Sequence, residues 1–400
     1  MTVRKILHLD LDAFFCAVEE QHDPSLHGKA FAVGGRPDER GVVASCSYAA
    51  RKFGVRSAMP MATAIRLCPD LIIVSHSRGV YSEVSHMVMR KLEDLTPLVE
   101  QISIDEAFLD VTMLPDTAET IARRLQAIIR DELGLPNSLG VASNKLVAKI
   151  ANNIGKASAR KRGVDGPPNA ITVIPPGTEA TFLAPLSVGE LWGVGPKTAE
   201  KLEQLGMKTI GDIAAWPEAD LIRRFGKGGA YLARHAKGVD ERPVETERET
   251  KSISHETTFA KDVNDEAVLK RTLRGLADSV GRRLRKYGLR GITVQVKLRW
   301  ADFTTLTRQV TLAHPTDLDN EIYAAAEELF ETNWRGQRVR LIGVGVSGFD
   351  EEGRQLGLWD APKVKEDRRL QSVIDSLRDR FGEDAIHRAS ALQDDDLIEE

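Results

Sequence analysis

Asp10 lies in the run ILHLDLDAFF, and Asp105 and Glu106 stand side by side in QISIDEAFLD. Both runs are apolar and strand-like. Ile102, Ile104, Phe108 and Leu109 ask for burial, and a carboxylate buried without a partner is costly and tends to take up a proton. Asp105 and Glu106 therefore either reach solvent at a hairpin tip or share a cation. Adjacent strands of one sheet can bring Asp10 to them. Three carboxylates at one spot repel each other unless divalent cations sit between them. Mg²⁺ takes oxygen ligands and keeps places for water and substrate phosphates. Two such ions ~4 Å apart can activate an attacking hydroxyl and stabilise the leaving oxygens of an in-line displacement at phosphorus.

Cationic side chains form the second group. In SYAARKFG, Tyr48, Arg51 and Lys52 share one turn near a helix start. Arg suits forked contacts with phosphate oxygens and Lys point-charge contacts, although a solvated helix face reads the same way. Lys145, Lys149 and Lys156 in ASNKLVAKIANNIGK carry the same ambiguity. In LWGVGPKTAEKLEQLG, Gly193, Gly195 and Pro196 make a tight turn between two helices, with Lys197 and Thr198 opening the second. Such a turn exposes backbone N–H groups at a helix N-terminus, a sequence-independent grip on phosphate. The alternative is a plain corner between helices. Further on, Arg282, Arg283, Arg285, Lys286 and Arg290 crowd one helix end, and Lys297 and Arg299 alternate with Val296 and Leu298 on the next strand. A basic strand face beside a basic helix end suits tracking of a duplex backbone.

These groups need elements to hold them. Leu7, Leu9 and Leu11 alternate with His8, Asp10 and Asp12, which predicts a strand with a polar face. Val80, Val84, Met87, Met89 and Leu92 predict one side of a long amphipathic helix. A hairpin at SIDEAFLDV, a helix at about 116–133 and a strand at SLGVAS complete an α+β, palm-like layer. The stretch ASARKRGVDGPPNAITVIPPG near 157–178 reads as a basic, Pro/Gly-rich loop. A helical block runs to about 240, followed by a charged linker. From about 252, strand, helix, two strands, helix and strand make a separate α+β domain. The tail past 350 holds one helix, in EDRRLQSVIDSLRDRF.

With 400 residues the chain predicts two to four domains. Its 42% hydrophobic and 28% charged content is ordinary for a soluble protein. No apolar run approaches the roughly 18 residues of a membrane span, and the N-terminus has no signal-peptide pattern. Cys16, Cys46 and Cys68 lack metal-ligand spacing and read as reduced thiols of a cytoplasmic protein. The net charge of −4 conceals an asymmetry, because residues 350–400 carry 8 Lys/Arg against 15 Asp/Glu. The body is thus mildly basic, as weakly befits a polyanion partner.

Taken together, HLDLDAFFCAVEE, SYAARKFGVRSAMP, SIDEAFLDVT, GVASNKLVAKIANNIGK, LWGVGPKTAEKLEQLG and KSISHETTF resemble the Y-family DNA polymerases, in their DNA polymerase IV (DinB) branch. The resemblance covers residues 4 to about 349. It implies a right-hand polymerase: palm at 1–10 and 78–172, fingers at 11–77, a helical thumb with a helix-hairpin-helix at 173–240, a linker at 241–251, an α+β little finger at 252–349 and an acidic tail at 350–400. It implies low-fidelity extension of primers by dNTPs past damaged bases, without proofreading. By resemblance, Asp10, Asp105 and the Leu11 carbonyl hold two Mg²⁺ ions, and Glu106 is the catalytic carboxylate beside the primer 3′ hydroxyl. Tyr48, Arg51 and Lys156 match triphosphate contacts. Phe15 matches the steric gate against a ribose 2′-OH, and Phe14 lines the nucleotide pocket. Asp12 is not a ligand in the family. Gly193, Gly195, Lys197, Thr198, Arg283, Arg285, Lys297 and Arg299 are the expected DNA contacts. Phe108 replaces a more usual Tyr, and ASARKRGVDGPPN intervenes where the family runs from its lysine straight into P-N-G.

One exposed apolar cluster remains in the tail. QLGLW holds Gln355, Leu356, Leu358 and Trp359 and resembles the sliding-clamp-binding peptide of bacterial polymerases. Leu358 and Trp359 would anchor it in a hydrophobic cleft. The expected partners are primer-template DNA, dNTP and the clamp, with the chain a monomer away from membranes. Two rivals are a non-catalytic, mutasome-like DNA-docking protein of the same fold, which would be expected to lack the carboxylates, and a nucleotide cyclase, which needs no helix-hairpin-helix.

Overall fold

A computed structural model describes residues 3–164, 166–247, 249–349, 361–382 and 385–386. It divides into two compact units, residues 1–37 with 41–248, and residues 38–40 with 249–400.

The strands of the first unit are β1 (Ile6–Leu11), β2 (Phe31–Gly34), β3 (Val43–Cys46), β4 (Ile72–Val74), β5 (Val99–Gln101), β6 (Glu106–Asp110), β7 (Asn137–Ala142) and β8 (Ile171–Val173). Five form a sheet in the order β5-β6-β1-β7-β8, and β3-β2-β4 form a smaller one. The alternation in β1 decides its placement. Leu7, Leu9 and Leu11 enter a core with Tyr81, Val88 and Leu92 of the helix Arg78–Leu95 and Ile121 and Leu125 of the helix Ala118–Leu133. The opposite face, with His8 and Asp10, meets side chains of the helix Lys145–Lys161.

Two expectations need correction. Met87 is 39% exposed, while Tyr81 and Val88 are buried. The buried stripe is Tyr81, Val84, Val88 and Leu92, because a 3.6-residue period turns Met87 outward. Residues 157–161 are not loop: the helix opened by Asn144, whose side chain accepts from the Val147 N–H, runs on through Lys161. Ala157, Ala159 and the long basic side chains favour helix, and the first glycine comes at Gly163 with φ +76°.

In the helical part of this unit, the first arm before the Gly193 turn is a 3₁₀ turn, Val188–Glu190, rather than an α-helix. Gly193 takes φ +97°, a conformation glycine adopts without strain. Gly195 caps the helix Pro196–Gln204, with proline at its first position.

The second unit has β9 (Ser252–Val263), β10 (Gly291–Trp300), β11 (Thr305–Thr316) and β12 (Val339–Phe349), ordered β11-β10-β12-β9. Val294, Val296, Leu298, Val344 and Val346 pack against Leu273, Val280 and Ile322 of the helices Glu266–Lys286 and Asp319–Asn333. The other face of the sheet carries polar rows. Register places Glu256, Gly343, Lys297 and Thr307 in one row and Ser254, Gly345, Gln295 and Gln309 in the next. The helix Ala361–Phe381 follows, with Asp375 paired to Arg285 and Asp379 to Arg282.

Candidate active site

Asp10 and Glu106 are direct cross-strand partners of β1 and β6. Asp105 precedes β6 in the turn from β5, and its carbonyl accepts from the Leu11 N–H at 2.9 Å. Asp10 and Asp105 line one cleft of about 150 Å³ together with Phe14, Phe15, Tyr48, Arg51 and Lys156. Leu11 lines it too, and since its side chain is packed in the core, its backbone is what faces the cleft.

Acids and cations meet in this cleft. Lys156 Nζ lies 2.6 Å from Asp10 Oδ1 and 3.1 Å from Asp12 Oδ1. Burial, with Asp105 adding to it, still pushes the Asp10 carboxyl above its ordinary pKa despite that lysine. The Lys156 ammonium is itself held charged: burial opposes it, but Asp10 and Asp12 prevail. Contact with Lys156 alone thus does not offset the burial of Asp10. The donors are hard oxygens on two carboxylates and one carbonyl. That set fits a divalent cation of the Mg²⁺ kind completed by substrate phosphates, not a closed protein cage. Among the described residues no group of three or more acidic, His or Cys side chains forms such a cage.

Glu106 is not gathered with the other two. Its carboxylate accepts from Lys149 Nζ at 2.5 Å and lies 3.2 Å from His8 Nε2. Burial would raise its pKa, but the hydrogen bonds from His8 and Lys149 outweigh burial and hold it at about 2. His8 is fully buried, and burial lowers its own pKa. Asn152 Nδ2 lies 3.0 Å from the other ring nitrogen. Phe108 packs its ring 4.9 Å from His8 and 5.6 Å from Trp192.

Asp12 shares the strand's alternation but not its exposure. It is 1% exposed and accepts from Ser138 Oγ at 2.8 Å and from the Asn169 N–H at 3.1 Å. It serves as an internal tie and as the second ion-pair partner of Lys156. The chain then bends at Ala13, whose φ of +50° is strained for a residue with a Cβ. That bend starts the helix Phe14–His22. Phe15 stacks on Tyr81 with centroids 4.4 Å apart, while Phe14 is buried beneath the cleft.

Tyr48 and Arg51 stand on the short helix Tyr48–Lys52, capped by Ser47. The Tyr48 hydroxyl is buried without a hydrogen-bond partner, and burial raises its pKa. Arg51 lies 4.8 Å over the Tyr48 ring and donates to the Cys46 carbonyl. An orphaned hydroxyl beside a guanidinium suits an anionic ligand.

Gly193, Gly195 and Lys197 are exposed at the hairpin and Thr198 half-exposed. In the second unit the four basic candidates separate. Lys297 and Arg299 project from the open sheet face, where Lys297 pairs with Glu256 at 2.7 Å and Arg299 donates to Thr305 at 2.9 Å. Arg283 and Arg285 belong to the helix layer on the opposite face. Arg285 is held by Asp319, by a fork to Asp375 and by the Asp317 carbonyl. Arg283 donates to the Ser254 carbonyl. Gln355, Leu356, Leu358 and Trp359 lie outside the described residues.

Residue reading alone placed His8 on the polar face without a role, missed Asn152 and Tyr81, and left Lys149 ambiguous. His8 left a signal in the strand alternation, and Lys149 by lying seven residues from Lys156 on one helix face.

Comparison with known proteins agrees with this geometry. The impB/mucB/samB family signature matches residues 9–153, its C-terminal domain residues 250–358, and the IMS family HHH motif residues 176–207. A DNA polymerase IV of Dehalococcoides mccartyi (strain CBDB1) is 40% identical over 387 residues, covering 96% of each chain. A solved Y-family DNA polymerase chimera of Dbh and Dpo4 has a TM-score of 0.76 at 27% identity, over 86% of this chain and 99% of that one. The insertion ternary complex of Dbh DNA polymerase has a TM-score of 0.61 at 27% identity, with the same coverage of 86% and 99%. The chain belongs to the impB/mucB/samB family, the Y-family DNA polymerases, in its DNA polymerase IV branch.

Proposed function

We propose that the Asp10–Asp105 cleft carries template-directed nucleotidyl transfer, extending primers with dNTPs on damaged or distorted templates without proofreading. The observation that carries this reading is one small cleft lined by two acids, Asp10 and Asp105, with the aromatic rings of Phe15 and Tyr48 and the cationic side chains of Arg51 and Lys156. In the transfer, the primer 3′ oxygen bonds to the α-phosphorus and releases its proton. The bond from that phosphorus to the bridging oxygen breaks, and its electron pair leaves with pyrophosphate.

Asp10, Asp105 and the Leu11 carbonyl are the proposed holders of two Mg²⁺ ions. Bound there, such ions supply activation of the 3′ hydroxyl and charge neutralisation on the leaving phosphates. Tyr48, Arg51 and Lys156 grip the triphosphate, and their orphaned or cationic groups support that role. Glu106 supplies negative charge beside the primer 3′ hydroxyl. Phe15 closes the pocket over the sugar, and Phe14 packs beneath it.

DNA is proposed to meet the exposed hairpin of Gly193, Gly195, Lys197 and Thr198 and the polar sheet face bearing Lys297 and Arg299. Gly343 and Gly345 leave the middle of that face without side chains, which suits close approach of a phosphate backbone. The palm, fingers, thumb and little finger limits given above are proposed with it. So are a monomeric, cytoplasmic chain and a sliding clamp bound through Gln355, Leu356, Leu358 and Trp359. Among the described residues no helix is long and apolar enough to cross a membrane. A tether of this kind raises the effective concentration of enzyme at the primer end.

Primer extension with Mg²⁺ and dNTPs on intact and lesion-bearing templates tests the reading. Extension past the lesion that disappears in Asp105→Asn supports it. Undiminished extension by Asp105→Asn contradicts it.

A further inference from the structure

Trp192 opens the hairpin turn, one residue before Gly193 with its φ of +97°. Its indole is half-buried and lines a cleft of about 550 Å³ with Gly193, Thr198, Phe225, Tyr231 and Arg242. The proposed chemistry gives this ring no role. Yet its remaining neighbours surround the acid proposed for catalysis. Lys149 Nζ lies 5.6 Å from the indole centroid, and the Phe108 ring lies at the same distance. Lys149 is the lysine that donates to Glu106 at 2.5 Å. Phe108 stands two residues past Glu106 in β6, and so on the same face of that strand.

A further cation fixes the ring to the same helix. Arg242 lies 4.8 Å over the indole and forks onto Asp240, which accepts from the Leu146 N–H at 3.1 Å. Leu146 and Lys149 belong to the one helix Lys145–Lys161, so the ring and its lysine share a frame. Lysine needs such a frame. Its four-carbon stem is flexible, and its ammonium is a compact charge that water solvates strongly. The Lys149 side chain is 16% exposed, so solvent competes with Glu106 for it. An aromatic face within ~6 Å attracts an ammonium through the ring quadrupole and so opposes its escape into water. Lys149 and His8 hold the Glu106 carboxylate between them, and a displaced Lys149 frees that carboxylate to turn.

We propose that Trp192 is a positioning residue for the reaction: its indole confines the Lys149 ammonium against Glu106 and so fixes the orientation of that carboxylate. The role rests on reading Glu106 as the acid beside the primer 3′ hydroxyl. Small displacements of such a group are expensive, since a misplacement of about 1 Å can cost a hundredfold in rate. Because Trp192 is joined to Gly193, the same contact ties the hairpin proposed to grip DNA to the acid that acts on the primer end. Packing alone is the less fitting role, because an indole serving only the helical core would not stand half-exposed beside two cations.

A double-mutant cycle on the full chain tests this, with single-turnover insertion of one dNTP as the readout. Trp192→Leu should lower the saturated rate about tenfold, while half-saturating dNTP and primer-template affinity stay within about twofold of wild type. In a Lys149→Met background the same substitution should cost no further rate. Trp192→Phe keeps a ring with weaker attraction for cations and should fall between wild type and Trp192→Leu. If circular dichroism shows Trp192→Leu unfolded, Trp192→Phe carries the same cycle. Equal fractional losses in both backgrounds would overturn the proposal and leave Trp192 as packing. So would a loss confined to primer-template affinity, which assigns the indole to DNA. A wild type that inserts no nucleotide defeats the nucleotidyl-transfer reading and this role with it, whereas equal losses alongside an active wild type defeat this role alone.

Discussion

Asp10 and Glu106 face each other across neighbouring strands, yet each is held by a different lysine of one helix. Lys156 takes Asp10 and Lys149 takes Glu106, two turns apart. The acid proposed for catalysis is therefore kept ionised by its own cation, separately from the pair proposed for metal. Lys149→Ala removes that cation and leaves Glu106 facing His8 alone. It should lower stability by roughly 1–3 kcal/mol, the scale of a charged hydrogen bond in a partly buried site. Chemical denaturation of the two proteins at neutral pH measures it. An unchanged midpoint would mean that solvent replaces Lys149 without loss.

The proposed gate has a brace. Phe15 stacks on Tyr81, which is 1% exposed and donates to Glu19. Phe15→Ala should raise ribonucleotide incorporation by orders of magnitude, and Tyr81→Leu should raise it by a smaller factor through a loosened Phe15. Competition between dNTP and rNTP in single-nucleotide insertion measures both. Unchanged sugar discrimination in Phe15→Ala would leave Phe15 as packing only.

Basic residues of the second unit should behave as two classes. Lys297→Ala and Arg299→Ala remove charge from the open sheet face. Each should weaken DNA binding on every sequence and reduce the slope of log affinity against log salt by about 1. Arg285→Ala should leave that slope unchanged and lower the melting temperature, because Arg285 is spent on Asp319 and Asp375. Binding isotherms at several salt concentrations, with a thermal melt of each variant, separate the classes.

Asp240 supplies a pH test of the helical region. It accepts from the Leu146 N–H and from Arg242. Burial alone would raise its pKa, but the Arg242 hydrogen bonds and charge prevail and lower it. A carboxyl with a depressed folded pKa stabilises the fold above its unfolded pKa and loses that contribution as pH falls through the folded value. Asp240→Asn should therefore melt below wild type at pH 7, and the gap should narrow below pH ~4. A gap that stays constant with pH would assign the loss to packing.

Much of this was legible before any coordinates. The alternation of Leu7, Leu9 and Leu11 against His8 and Asp10 predicted both faces of β1, because a strand has a strict period of two. It failed at Asp12, where the strand has ended and the bend at Ala13 turns the next carboxylate inward to Ser138. The helix past Lys156 was hidden by a nearby Pro/Gly-rich run that dominated the reading of 157–169. Lys149 and Glu106, 43 residues apart, and Arg285 and Asp375, 90 apart, meet only through tertiary packing. No local period signals such pairs. Tyr81 was missed for the same reason, since its partner Phe15 lies on another helix.

The central claim is that the acids at the junction of β1 and β6 carry out nucleotidyl transfer and do not merely stabilise the sheet. Single-turnover insertion of one dNTP by Glu106→Ala, with primer-template affinity measured on the same preparation, tests it most directly. The account predicts insertion reduced to background while the affinity and the far-ultraviolet circular dichroism match wild type. Insertion at the wild-type rate would contradict it.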